Sequence, residues 1–421
     1  MSAGPRLTLR RRLPVVWLLL LAAAAVLLPG RVWNTLLIGL GGLVLVAYVW
    51  ARQLQRGLSG RREVRYAWVG VGDRLSEQFE LRNDSWLPAL WVEVVDEGNV
   101  PGYRPAVVRS LGARAGDRWR SSAVCRQRGQ FRLGPWALHS GDPFGIFSLT
   151  IPYPPAGEIV IHPPIHQQLP LPLPAGGRSG RARTAERSWQ ATLNAAGVRD
   201  YRPDDPLGWI HWPTSARRDG LFTRQFDLDA AGDVWLLLDM QAAAQLGQGL
   251  EGTEEHLVLL AAALAAQALR ANRPAGLAAY GRRPQIIAPG RGQGQQWRLL
   301  RGLALVRADG ERGLEAALVD LGRLARRGSA AVVLTPSGRA DWLPALLSLS
   351  QRGVGCQIVL LDRESFASPA GADPGSSQGL AEALRQLGYP SRLVRRGQLG
   401  PPLQARPRRG YWEFKVTRTG R

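Results

Sequence analysis

Two apolar runs near the N-terminus constrain this chain more than any other feature. Leu13 to Leu28 is apolar throughout, and Val32 to Ala51 is broken by only two polar residues. At about 1.5 Å per residue the runs are about 24 and 30 Å long, close to the hydrocarbon thickness of a bilayer. The connector between them has only three residues, Pro29 to Arg31. Residues 13–51 are therefore predicted to form two transmembrane helices in a tight hairpin.

Arginines mark both ends of this hairpin. Four lie in the basic flank of residues 1–12, four follow the second run between Arg52 and Arg62, and one lies in the connector. Loops rich in Lys and Arg stay on the cytoplasmic side of a membrane. We therefore expect a two-pass protein of a bacterial inner membrane, with both termini and the soluble body in the cytoplasm.

The charge of the chain is concentrated at its two ends. Of the net +21, residues 1–62 carry +9 and residues 391–421 carry +8, which leaves +4 between them. An anionic lipid surface attracts basic residues close to it by about 1 kcal/mol each. The lipid bilayer is therefore the expected partner of these segments, and no nucleic acid is expected. Only two cysteines occur, Cys125 and Cys356, which indicates a reducing compartment.

Residues 63–166 have the pattern of a β-rich domain. Short alternating runs are separated by turn residues, which is typical of an antiparallel β-sandwich-like domain. The clearest runs are Gln78–Leu81, Leu90–Val95, Gln130–Leu133 and Glu158–His162. Two motifs, Arg128 to Pro135 and Asp142 to Phe147, are interpreted as structural, and the second matches a type I turn. Residues 167–190, rich in Pro, Gly and Arg, are predicted to be a linker, and residues 398–421 a basic tail.

From Asp233 onward, apolar strands alternate with helices, which predicts an α/β domain with a parallel sheet covered on both faces. The predicted strands are Val234–Leu238, Ala275–Tyr280, Ala330–Leu334, Gln357–Leu361 and Arg392–Arg395. The predicted helices are Glu254–Arg270, with Thr253 as its cap, Gln295–Val306, Leu314–Arg326, Trp342–Gln351 and Gln378–Leu387. The first strand ends at Asp239, and no Gly-rich phosphate loop follows it.

A dense signature precedes that strand. It runs from Gly197 through Tyr201, Trp209 and Arg218 to Phe226. Its candidate partner-binding residues are Arg199, Asp200, Tyr201, Asp204, Asp205, Trp209, His211, Trp212, Arg217 and Arg218. Opposite charges beside aromatic side chains either fasten this segment to the sheet or form a docking surface in which Trp, Tyr and Arg are the anchors. His211, between two tryptophans, is interpreted as a packed core histidine rather than a general base.

These motifs resemble the family known as domain of unknown function 58. The resemblance includes the Arg-x-Tyr, Asp-Asp, Ile-His-Trp and Ala-Arg elements, the two upstream motifs and the two-helix N-terminus. It implies that residues 191–397 comprise the signature segment and a von Willebrand factor A-like α/β domain. It also implies association with a MoxR-type AAA+ ATPase.

The metal site of von Willebrand-type domains is degenerate here. Asp239 remains, but Gln241 and Ala243 occupy the serine positions, and Thr335-Pro336-Ser337 stands where a second Asp is expected. A divalent cation needs several oxygen ligands, so no metal or other cofactor is expected. We therefore predict a non-enzymatic scaffold or adaptor protein. The alternative is a hydrolase-like enzyme that uses Asp239 with Asp204 or Asp205.

Overall fold

A computed structural model describes residues 4–28, 30–65, 69–165, 172–174, 195–202, 207–218, 220–226, 232–366 and 376–399. Most of the predicted linker and nearly all of the predicted basic tail lie outside these ranges. The helices are α1 Leu13–Leu27, α2 Arg31–Gly57, α3 Trp212–Ser215, α4 Thr253–Arg270, α5 Gly292–Leu305, α6 Leu314–Leu324, α7 Leu343–Gln351, α8 Arg363–Phe366 and α9 Ser376–Gln386.

The strands fall into three groups along the chain. The N-terminal group is β1 Arg6–Leu9, β2 Leu58–Arg65, β3 Val69–Gly70, β4 Arg74–Asn83, β5 Ala89–Asp96, β6 Val107–Leu111, β7 Gly116–Val124, β8 Gly129–Leu133, β9 Trp136–Gly141, β10 Phe147–Tyr153 and β11 Gly157–His162. The signature segment contains β12 Ala195–Asp200 and β13 Phe222–Phe226. The C-terminal group is β14 Val234–Leu238, β15 Ala275–Ala279, β16 Gln285–Gly290, β17 Ala330–Thr335, β18 Gly355–Leu361 and β19 Ser391–Val394.

The N-terminal helices are apolar and largely exposed. By length and composition α2 is able to cross a membrane, whereas α1, with 15 residues, is shorter. The second helix is longer than predicted, because it continues past Ala51 to Gly57 and buries Ala47, Ala51 and Leu54 against the β-rich region. Its C-terminal turns are therefore packed into the β-rich region.

The N-terminal strands form three sheets, ordered β1-β10-β9-β5-β6, β2-β4-β7 and β3-β11-β8. The first two share one core, in which Phe79 and Leu81 of β4 meet Val92 of β5 and Leu138 of β9. Two features differ from the prediction. The basic flank contains a strand, β1, which pairs with β10, and β3 runs parallel to β11 in an otherwise antiparallel set. The region also begins earlier than residue 63, because β2 continues directly from α2 at Leu58.

The C-terminal strands form one sheet of order β16-β15-β14-β17-β18-β19. The five predicted strands pair in parallel, as expected, and all except the edge strand β19 are buried along most of their length. The sequence prediction missed β16, which pairs antiparallel with β15 at the edge and alternates between exposed and half-buried residues. Helices α4 and α5 cover one face, while α6, α7 and α9 cover the other.

Thr253 is not the cap of α4. Gly252 occupies the capping position, and Thr253 is the first helical residue. The Thr253 hydroxyl instead accepts a hydrogen bond from the Leu246 backbone nitrogen at 2.9 Å and donates one to the Gln245 side chain at 2.8 Å. Thr253 therefore ties the start of α4 to the loop that precedes it.

Candidate functional site

The signature segment forms a small β-ribbon, which we call the signature ribbon (residues 195–202, 207–218 and 220–226). Strands β12 and β13 are antiparallel, with Arg199 opposite Thr223 and Asp200 opposite Phe222. The Tyr201 backbone nitrogen extends the pairing by donating to the Leu221 oxygen at 2.8 Å. The motif therefore specifies two paired antiparallel strands, and the segment that connects them contains α3.

His211 makes several hydrogen bonds in this connecting segment. It is half-buried rather than in a core, so the packed-core interpretation is wrong. Its Nδ1 lies 2.8 Å from the Thr214 hydroxyl and accepts from the Thr214 backbone nitrogen at 3.3 Å. Its own backbone nitrogen donates to the Phe222 oxygen at 2.7 Å. His211 therefore begins α3 and holds it against β13.

The signature ribbon exposes apolar and basic side chains together. Trp212 is 62% exposed, and Leu207 and Leu221 are also exposed. Arg217 and Arg218 are exposed in the turn that follows α3, and the Arg218 guanidinium carbon lies 5.7 Å from the centroid of the Phe222 ring. Trp and Arg are the side chains that dominate protein-binding surfaces. The exposed residues of α3 and of the turn after it therefore include the residue types that are enriched at protein interfaces.

The other predicted members are placed less completely. Asp200 is exposed and Tyr201 is half-buried. Asp204 and Asp205 lie outside the described residues, as do the side chains of Arg199 and Trp209. The structure thus brings Trp212, Arg217 and Arg218 into one exposed region, and the proposed charge pairs stay a prediction.

The carboxyl edge of the large sheet is a second candidate. Asp239 follows β14 and Thr335 ends β17, so the two lie where the strand order reverses, the usual ligand position in open α/β sheets. Asp239 is only 2% exposed. Its carboxylate accepts from the Thr335 hydroxyl at 2.6 Å and from the Gln241 backbone nitrogen at 3.2 Å. Burial raises the pKa of Asp239, although both hydrogen bonds act in the opposite direction.

These residues do not fit a divalent cation. The Thr335 hydroxyl is engaged by Asp239 and also accepts from the Ser337 backbone nitrogen at 2.9 Å. Ala243 has no side-chain oxygen, and the described residues contain no group of three or more His, Cys, Asp or Glu able to hold a metal. One buried carboxylate falls short of the several oxygen ligands that Mg²⁺ or Ca²⁺ takes.

Arg128 joins the β-rich region to the α/β domain, a role that the sequence patterns do not indicate. Its buried guanidinium pairs with Glu254 at 2.6 Å and Glu255 at 3.2 Å, both in the first turn of α4. It also donates to the backbone oxygens of Leu303 and Val306 at the end of α5, at 3.3 and 3.2 Å. Acidic side chains near the start of a helix and a cation near the end of a helix both interact favourably with the helix dipole. The partners are over 120 residues away in sequence, so no local signal reveals them.

Comparisons with known proteins place the signature in a family. The model of the family described as "Protein of unknown function DUF58" matches residues 197–372, which include most of the signature ribbon. The chain is 25% identical over 348 residues to the uncharacterised protein YeaD of Bacillus subtilis, covering 78% of this chain and 82% of that protein.

Two further similarities cover less. The uncharacterised protein Rv1480 of Mycobacterium tuberculosis is 28% identical over 176 residues, and this chain spans only 55% of its length. Among solved structures, a von Willebrand factor type A protein from Catenulispora acidiphila aligns with 41% of this chain and 40% of its own, at 13% identity and a TM-score of 0.27. Residues 197–372 of this chain thus match the DUF58 family of proteins of unknown function.

Proposed function

We propose that this protein is a membrane-anchored, non-enzymatic adaptor that presents the signature ribbon and a von Willebrand factor A-like domain to a protein partner in the cytoplasm. The observation that carries the proposal is the exposed cluster of Trp212, Arg217 and Arg218 on the ribbon. The partner that the family resemblance suggests is a MoxR-type AAA+ ATPase, in the assembly or maturation of a membrane-associated complex.

The membrane anchor is supported by the pairing of β1. This strand precedes α1, and its Leu9 lies opposite Phe147 of β10, while β2 follows α2 into the same body. Both ends of the helical pair therefore emerge on one side. Two apolar helices between them satisfy this with two crossings of a bilayer, and the Arg-rich flanks favour the cytoplasm for that side.

The β-rich region separates the membrane from the α/β domain. Helix α2 packs against β10 and β9 near Leu149 and Leu138. At the opposite end of the β-rich strands, β11 pairs with β3 and His162 packs against Trp297 of α5, with ring centroids 6.1 Å apart. In the adaptor, the α/β domain is thereby held away from the bilayer and accessible to a large partner.

Partner capture tests the proposal. Full-length protein would be purified from gently solubilised membranes and its partners identified by mass spectrometry. We expect Trp212→Ala and the double variant Arg217→Ala with Arg218→Ala each to lose the main partner, because central anchors of an interface contribute about 2 kcal/mol or more. Leu347→Ala, at an exposed apolar position on α7, serves as the control. Equal capture by all of these variants would remove the basis of the docking surface.

Topology is tested separately with reporter fusions after Arg421. Activity from a reporter that works only in the cytoplasm is expected, because the Arg asymmetry keeps the body inside. Activity from a periplasmic reporter would contradict the orientation while leaving the docking surface untested.

A further inference from the structure

The motif Asp142-Pro143-Phe144-Gly145-Ile146-Phe147 forms a rigid loop, which we call the DPFG loop (residues 142–147). The buried Asp142 carboxylate accepts from the backbone nitrogens of Phe144 at 2.8 Å and Phe147 at 2.5 Å. Gly145 has a φ of 68°, a backbone conformation that residues other than glycine rarely adopt. The loop therefore presents Phe144 in a fixed direction, and that side chain is 47% exposed.

This loop also holds the point where the apolar helices leave the soluble body. The Ile146 oxygen accepts from the backbone nitrogens of Arg10 at 2.7 Å and Arg11 at 3.2 Å, just before α1 begins. On the other helix, the ring of Tyr48 meets that of Phe147 edge to face, with centroids 5.7 Å apart. The DPFG loop is thus level with the first turn of α1 and with Tyr48 of α2.

Helix length places the bilayer surface at this level. The 15 residues of α1 span about 22 Å, less than the roughly 30 Å of hydrocarbon in a bilayer. The two helices pack side by side, with Leu18 close to Gly41. A bilayer of ordinary thickness therefore extends beyond the ends of α1, and at the body end of α1 it meets the exposed Phe144 and the exposed Tyr48 of α2.

A second loop lies at the same end of the body. The Trp50 indole nitrogen donates to the Pro88 oxygen at 3.1 Å, and the Asp84 backbone nitrogen donates to the Gly57 oxygen at 2.9 Å. Residues 84–88 therefore run alongside the C-terminal turns of α2. Trp86, in the middle, is exposed. Tryptophan and tyrosine are enriched at the level of lipid headgroups.

We propose that the DPFG loop is a bilayer-contacting surface. Phe144 inserts at the boundary between headgroups and acyl chains, Trp86 lies at the headgroup level, and the exposed side chains of Arg10, Arg11 and Arg12 bind the phosphates of anionic phospholipids. The charge complementarity and the continuity with α1 select a lipid surface as the occupant. The inference rests on the proposed membrane anchor and adds that the body is seated on the bilayer, in a fixed orientation.

Site-specific labelling tests it. Both native cysteines are buried, and burial raises the pKa of Cys125 to about 11 and that of Cys356 to about 12, so both thiols stay protonated and unreactive at neutral pH. Phe144→Cys and Trp86→Cys would each be labelled with an environment-sensitive fluorophore in full-length protein. Nanodiscs with and without phosphatidylglycerol would carry nitroxide lipids, and iodide would be the aqueous quencher.

Two exposed positions serve as references, Leu19→Cys on α1 for lipid and Leu387→Cys after α9 for water. We expect lipid quenching at Phe144 to approach that at Leu19 and to exceed that at Leu387 several-fold. Replacing Arg10, Arg11 and Arg12 by Gln should reduce it in anionic nanodiscs.

The outcomes separate the two proposals. Iodide could quench the labels at Phe144 and Trp86 as strongly as the label at Leu387, while lipid still quenches the label at Leu19. This result would overturn the contact between the loop and the bilayer but would keep the membrane anchor. Strong iodide quenching at Leu19 would overturn the anchor itself. Quenching at Phe144 that is equal in neutral and anionic nanodiscs and unchanged by the arginine replacements would overturn the phosphate contacts.

Discussion

The β-rich region and the α/β domain bury charged groups in opposite ways. In the β-rich region the Arg62 side chain, 2% exposed, lies between Glu77 and Asp96, at 2.8 and 2.9 Å. Burial alone would lower the pKa of Arg62, but the attraction of Glu77 and Asp96 outweighs it and raises that pKa. In the α/β domain Asp239 is equally buried, yet its partners are the neutral Thr335 hydroxyl and the Gln241 amide. The first arrangement stabilises the Arg62 cation, although burial raises the pKa of its partner Glu77, whereas the second arrangement disfavours the Asp239 anion.

The two arrangements also differ in the elements that they hold together. A guanidinium between two carboxylates fixes the positions of β2, β4 and β5, and the Tyr103 hydroxyl adds a hydrogen bond to Glu77. Such a network is structural, since nothing in it is open to solvent. At the sheet edge, the Asp239 carboxylate is engaged by the Thr335 hydroxyl of the neighbouring strand.

The largest effect is expected from Arg62→Met. The change leaves Glu77 and Asp96 buried without a cation, and breaking a buried pair in this way costs about 3–5 kcal/mol of unfolding free energy. Denaturant unfolding of the detergent-solubilised protein measures it. Arg61→Met is the matched control, because the neighbouring Arg61 is exposed and its pair with Glu63 is worth about 0–1 kcal/mol. Equal losses from the two variants would show that the network does not stabilise the region.

A smaller loss is expected from Arg128→Ala, because Glu254 and Glu255 keep some contact with water. Hydrogen bonds to charged groups suggest a cost of about 1.5–3 kcal/mol. Since Arg128 joins the two regions, the variant should also unfold in two separate transitions where the parent unfolds in one. The exposed Arg132, on the strand β8 that begins directly after Arg128, provides the control variant Arg132→Ala. An unchanged single transition in Arg128→Ala would mean that the regions are coupled by other contacts.

The substitution Asp239→Asn tests the buried carboxylate of the α/β domain through the pH dependence of the unfolding free energy. Because burial raises the pKa of Asp239 above its ordinary 3.8, the folded state binds a proton more tightly than the unfolded state. The stability contributed by this proton is complete below the unfolded-state pKa and is lost as the pH rises through the folded-state pKa. As the pH rises from just below 3.8 to neutral, the unfolding free energy should therefore fall less in the variant than in the parent. Equal pH dependence in both would show that Asp239 is buried without a penalty for its charge.

The smallest effect on stability is expected from Arg218→Ala. The exposed guanidinium over the Phe222 ring contributes about 0.5–1 kcal/mol. Thermal melts should therefore stay close to those of the parent while partner capture falls. A variant that unfolds would assign Arg218 to the stability of the ribbon and not to docking.

Periodicity in the sequence was sufficient to predict the type of an element where that type depends on local residue pattern. The strands Val234–Leu238 and Ala330–Thr335 are continuous apolar runs, and α4 is apolar on nearly every side, so their type and burial were predictable within a few residues. The edge strand β16 was missed because its residues alternate between exposed and half-buried positions and carry a proline. Its strand character comes from pairing with β15.

The sequence by itself determined the apolar helices, the order of strands and helices in the α/β domain and the family signature, since these depend on spacing along the chain. The tertiary structure alone decided that the basic flank contains a strand on β10, that Arg128 reaches α4 and α5, and that Asp239 is paired with Thr335. Each of these contacts joins residues about 100 or more positions apart. Chain entropy opposes such contacts, and only the packing of whole sheets brings their members together.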